Sequence, residues 1–111
     1  MTTKFTICGL TKIREHFGDD PSEFYVQLHC EVASSETPGG EAFAAAAVSP
    51  AQLQADLESE SAGIELGRGH IILLDYNEIV IRDRLQRLID RSGVSTWAEL
   101  HDYIERFFDW I

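Results

Sequence analysis

The side chains able to do chemistry are few, and their spacing limits what each can do. His101 and Glu105 stand four apart, a one-turn helical spacing that can hold a metal ion. No third ligand is placed beside them by sequence, so a solvated ion pair between the two is the expectation. His29 next to Cys30 has the composition of a base and a thiol nucleophile. Neighbours along a strand point to opposite faces, however, so these two cannot pair directly. His16 and His70 border turns and are accounted for by local hydrogen bonding. Arg82, Arg84, Arg87 and Arg91 would make an anion site if they stood free. Interleaved with Glu78, Asp83 and Asp90 at spacings of three and four, they read instead as a solvated helix face that pairs with itself. The chain contains no phosphate-cradling glycine loop, zinc-protease motif, Cys-x-x-Cys pair or nucleophile-elbow serine, which weighs against an enzyme. Cys8 and Cys30 both fall in strand-like stretches and are expected to be plain buried thiols, with no disulfide, metal or cofactor.

The elements that must position these groups follow from periodicity. Lys4 to Ile13 alternates, with Phe5, Ile7, Thr11 and Ile13 on one side and Gly9 as a possible bulge. The segment from Glu15 to Ser22 has the Gly, Asp and Pro content of a turn. Phe24 to Val32 is the clearest strand: Phe24, Val26, Leu28, Cys30 and Val32 alternate with Tyr25, Gln27, His29 and Glu31. A second turn, Ser34 to Glu41, leads into Ala42 to Val48. That stretch is locally a helix former, but it sits where a third strand is needed. Ser49-Pro50-Ala51-Gln52 then reads as a cap, a first-turn proline and a box-closing glutamine, opening a short helix with Leu53 and Leu57 inward.

Ile71 to Leu74 is apolar throughout and is expected to be a strand buried on both faces, hence central. Asp75, with Glu78 three residues on, is expected to cap a helix whose buried face is Ile81, Leu85, Leu88 and Ile89, and Ser92-Gly93 ends it. Thr96 with Glu99 caps a second helix, whose stripe Trp97, Leu100, Ile104, Phe107, Phe108 and Ile111 is more often core than a binding surface. Only Tyr103 and Trp110 lie on its shoulder as exposed anchors. The order β-β-β-α-β-α-α predicts an α+β fold, an antiparallel sheet of about four strands with helices packed against it, in one domain over residues 1–111. No stretch has the length of a membrane span, and the first residues lack the unbroken apolar core of a secretion signal, so a cytoplasmic location is expected.

Charge is the most informative bulk property. The net charge is −10, and its source is local: between Arg14 and Arg68 there are eleven acids and no lysine or arginine. Self-repulsion of that kind costs stability, so it serves either solubility or a cationic partner. It opposes binding to nucleic acid or to an anionic membrane. Consecutive meander turns lie at opposite ends of a sheet. Asp19, Asp20 and Glu23 should therefore mark one pole and Glu36 and Glu41 the other, with the short helix carrying Glu58 and Glu60 toward the second.

The tail LLDYNE, IRDRLQRLID, STWAEL and RFFDWI, together with the helix entry VSPAQL, resembles the immunity proteins that bacteria encode beside polymorphic and contact-dependent inhibition toxins. The resemblance implies a non-enzymatic inhibitor, a monomer or weak dimer, that binds one cognate toxin, commonly a nuclease. Such a toxin is basic where it holds phosphate, which the acidic run would complement. The expected contacts are Asp19, Asp20, Glu23, Glu36, Glu41, Glu58 and Glu60, with Tyr25 and Tyr103 as aromatic anchors. The competing readings are an adaptor or secretion chaperone for a basic client, a small hydrolase using His29 or His101, and a free-standing DNA mimic.

Overall fold

The computed structural model describes residues 3–59 and 68–111. Strand β1 spans Phe5–Phe17, β2 Phe24–Ser34 and β3 Gly40–Val48; helix α1 spans Pro50–Ser59, β4 His70–Ile72, α2 Glu78–Ser92, α3 Trp97–Ile104 and β5 Asp109–Trp110. The fold is α+β, and the order is the one expected, with a fifth strand added at the end. The sheet runs β1-β2-β3-β4, with β5 also pairing β3. β4 is parallel to β3, and the other pairings are antiparallel.

β2 forms as its alternation requires. Phe24, Val26, Leu28, Cys30 and Val32 are all fully buried, facing Ile81, Leu85 and Ile89 of α2 and Leu100 and Ile104 of α3 across one core. Ala42 to Val48 is a strand, because its neighbours β2 and β4 supply the backbone partners that an alanine-rich segment would otherwise find in a helix. Phe43 stacks on Phe108 at 5.1 Å, while Ala45 and Ala47 leave room for the helical layer. Gly40 opens the strand because a β-carbon there would collide with the carbonyl oxygen of Val32.

β1 departs from its expected pattern. Register shifts fall between Ile7 and Gly9 and between Lys12 and Arg14, so Cys8 and Ile13 are the extra residues. Each bulge reverses which face the following residues take. Phe5 and Ile7 are buried in the core and Leu10 packs against it; Lys12, Glu15 and Phe17 pair with core-facing residues of β2 on the same side of the sheet but are exposed, as are Thr11 and, at 49%, Ile13. The strand also runs four residues past Ile13, into the segment expected to be a turn; the turn proper is Gly18 to Glu23. Cys8, expected to be buried, is exposed because it is the bulged residue.

Ile71 to Leu74 is not a central strand. β4 lies at the sheet edge, with Ile72 55% and Leu74 74% exposed, and only Ile71 and Leu73 lean on the core. Asn77, not Asp75, caps α2; its side chain accepts from the N–H groups of Ile79 and Val80. Tyr76 therefore remains outside the helix and closes the end of the sheet against Phe17 and Phe24. Gly93 ends α2 in the left-handed conformation at φ 73°. Thr96 caps α3 as expected, accepting from the Glu99 N–H at 3.2 Å. The helix stops at Ile104, so Phe107 and Ile111 leave the expected stripe and are exposed, while Trp110 pairs with Phe43 in β5. Ser49 caps α1, but its own N–H donates to the Phe24 carbonyl and Gln52 turns to Asp56, so the expected box does not close. Leu53 and Leu57 are only half-buried and stand outside the core cluster.

Candidate interaction surface

The β1–β2 turn builds one acidic end of the molecule. The Glu23 N–H donates to the Asp20 carbonyl and the Gly18 N–H to the Glu23 carbonyl, which closes the turn. The Ser22 N–H donates to the Asp20 carboxylate at 2.9 Å, and that bond holds the Asp20 carboxyl below the usual carboxylate range. Asp19 and Asp20 are exposed and Glu23 is half-buried. Among the described residues, none of the three is within ion-pair distance of a base. Tyr25 follows on the sheet face turned away from α2 and α3, half-buried. The structure therefore brings Asp19, Asp20, Glu23 and Tyr25 together.

The opposite end holds Glu36 and Glu41 in unlike states. Glu36 is exposed in the β2–β3 turn, its N–H bonded to the Ser34 hydroxyl. Glu41 meets His101 Nε2 at 2.7 Å, and that ring stacks on Trp110 at 4.4 Å. The expected His101–Glu105 pair does not form, because α3 turns His101 toward the start of β3. The ten-residue rise of β2 puts the two acidic ends roughly 33 Å apart, so they are separate patches. Glu58 is exposed on α1 and accepts from Gln54. Glu60 lies outside the described residues. Tyr103 belongs to neither end: it is half-buried against the core, with Phe107 at 5.5 Å and Arg106 over its ring at 5.7 Å.

The groups that could have supported catalysis are placed apart. Cys30 is buried among the helices, and burial pushes its thiol up to about 12; His29 points to the opposite face of the sheet. Among the described residues no three His, Cys, Asp or Glu side chains group as metal ligands. His70 does not find the local bond expected of it: its Nδ1 is buried without a partner among the described residues. The α2 arginines do not pair with their own helix. Asp90 accepts from Gln86, Glu78 is met by Tyr76 and Lys12, and among the described residues Arg82, Arg84, Arg87 and Arg91 reach no carboxylate.

Sequence reasoning missed Arg68. It bonds Asp109 at 2.7 Å and the carbonyls of Glu105 and Phe108, holding the end of α3 and the start of β5 beside β4. No local signal marks it, since its partners lie about forty residues away.

The immunity protein 8 family model matches residues 3–111. The chain belongs to the immunity protein 8 family. No curated protein and no solved structure matches it. Membership implies neutralisation of a toxin, with a cognate toxin as the partner. Within this immunity protein, the acids of the β1–β2 turn meet no base among the described residues, whereas Glu41 is engaged by the protein's own histidine.

Proposed function

We propose that the protein is a non-catalytic inhibitor that binds a cognate toxin in the cytoplasm and covers a basic surface of it, the toxin being a nuclease. The observation that carries this reading is the state of Asp19, Asp20 and Glu23. They are concentrated in a turn closed by its own hydrogen bonds, and they meet no base among the described residues. A charge cluster of this kind costs self-repulsion within the fold and gains from a cationic partner, chiefly in the rate of encounter. Tyr25 beside it supplies an aromatic anchor, and an interface of ordinary size, on the order of 1,600 Å² in total, would extend from the turn over the neighbouring sheet face. Glu36 at the far end of the sheet and Glu58 on α1 are more peripheral contacts, Glu41 is available only at the expense of its bond to His101, and Tyr103 is a weaker anchor because its ring already packs internally.

The test is co-expression with the toxin domain encoded beside the gene, followed by a neutralisation assay and association kinetics. The native chain should restore growth. Reversing Asp19, Asp20 and Glu23 to lysine should slow association at least tenfold at low salt with little change in folding. Association kinetics unchanged by the reversal would remove this end as the contact. Capture of the toxin without protection from it would favour an adaptor or chaperone instead.

A further inference from the structure

β4 is the last of the described strands on its side of the sheet. The Gly69 carbonyl accepts from the Ala46 N–H, and the Leu73 N–H donates to the Val48 carbonyl, so residues 69, 71 and 73 face β3. By the two-residue alternation of a ladder, the backbone groups of His70 and Ile72 face away from it, and among the described strands β4 has no second neighbour in the sheet. The Ile72 and Leu74 side chains are more than half exposed along the same edge.

Between this edge and α2 lies a groove of about 260 Å³ with a buried floor of Ile81, Leu85 and Phe108, and with Arg84 at its rim. Arg84 is exposed, and Arg91 stands two turns further along the same helix face with Arg87 between them. None of the three reaches a carboxylate among the described residues. Outward-facing backbone groups, an apolar groove and a cationic rim that meets no carboxylate among the described residues therefore lie side by side.

We propose that the β4 edge docks an extended acidic segment of a protein partner, which adds a strand beside His70–Ile72, places apolar side chains in the groove and turns carboxylates to Arg84 and Arg91. The sign of this surface is opposite to that of the β1–β2 turn, so it is a second interface, independent of the proposed toxin contact.

The test needs no toxin, so its failure and the failure of the toxin reading are distinguishable. The probe is an end-blocked hexapeptide alternating valine and glutamate, titrated into the labelled full chain and followed by amide shifts and hydrogen exchange. The amides of His70 and Ile72 should shift and gain protection, and binding should weaken at least tenfold when lysine replaces glutamate in the peptide. Ile72→Pro removes only an outward-facing N–H and should abolish binding. Arg84→Glu, at an exposed position, should reverse the preference toward the lysine peptide, and it carries the test if the proline variant does not fold. An unperturbed β4 edge, or equal binding of both peptides by the native chain and by Arg84→Glu, overturns the proposal.

Discussion

Glu41 and His101, sixty residues apart in the chain, meet at 2.7 Å where β3 begins and α3 completes its first turn. The contact belongs to a larger latch. His101 stacks on Trp110, whose indole N–H donates to the His101 carbonyl, and Trp97 on the preceding turn bonds Thr37 and packs edge-on against Phe5. The latch ties the C-terminal layer to the β2–β3 turn. The Glu41–His101 contact is at least about a third exposed on both sides, so solvent screens it. Glu41→Gln should cost less than about 1 kcal/mol in chemical denaturation. His101→Ala, which also removes the stacking partner of Trp110, should cost about 1–2 kcal/mol and change Trp110 fluorescence. Equal costs for the two would mean that the stack contributes nothing.

Ser49 serves two segments at once. Its hydroxyl accepts from the Gln52 N–H, capping α1, and from the Phe24 N–H at the start of β2, both at 3.1 Å in a buried setting. Ser49→Ala should destabilise the fold by about 2–3 kcal/mol, the sum of a lost cap and a buried donor left short of an acceptor. A loss below about 0.5 kcal/mol would show that one of the two donors finds a replacement.

Gln86 acts as a piece of a neighbouring strand at the other edge of the sheet. Its side-chain oxygen accepts from the Ile7 N–H at 2.8 Å, and its nitrogen donates to the Phe5 carbonyl at 3.0 Å. Gln86→Leu should cost about 1–3 kcal/mol by leaving both backbone groups unpaired, and hydrogen exchange at Ile7 should accelerate ahead of global unfolding. Unchanged protection at Ile7 would assign the edge to some other cover.

Arg68 holds β5 beside β4 through one carboxylate and two carbonyls. Arg68→Met keeps the stem and removes the donors, so the end of α3 and the residues of β5 should lose exchange protection while α2 keeps its own. A uniform change across both helices would indicate global destabilisation rather than release of the tail.

The two cysteines should separate cleanly. Cys8 is exposed at a bulge and Cys30 is sealed under the helices, so a thiol reagent at pH 8 should modify one site rapidly in the native chain and both in denaturant. Burial raises the folded Cys30 thiol to about 12 from 9.0, so above pH 9 the unfolded chain releases a proton that the folded chain keeps. This contribution to stability is complete below pH 9 and should be lost as pH rises toward 12, at a limiting slope of about 1.4 kcal/mol per pH unit. Cys30→Ala should flatten that slope, and a slope unchanged by the substitution would point to another group.

Much of this architecture is written locally. The strict alternation of Phe24 to Val32, the helical spacing of Ile81, Leu85, Leu88 and Ile89, the Ser49 and Thr96 caps and the Gly93 stop each depend on residues within one or two turns of one another. The acidic run likewise follows from composition alone, which is why the turn at Asp19 and Asp20 could be picked out before the fold was known. What sequence could not carry were relations decided by a distant neighbour. Whether Ile71 to Leu74 is central depends on whether a strand arrives beyond it, and none of the described strands does. Whether Ile13 faces the core depends on two bulges set by pairing with β2, and whether RFFDWI continues a helix depends on the free edge of Phe43 and Ala44. Hydrophobic periodicity reports which residues seek burial. Backbone hydrogen bonds between distant segments decide which of them obtain it, and only the assembled sheet settles that competition.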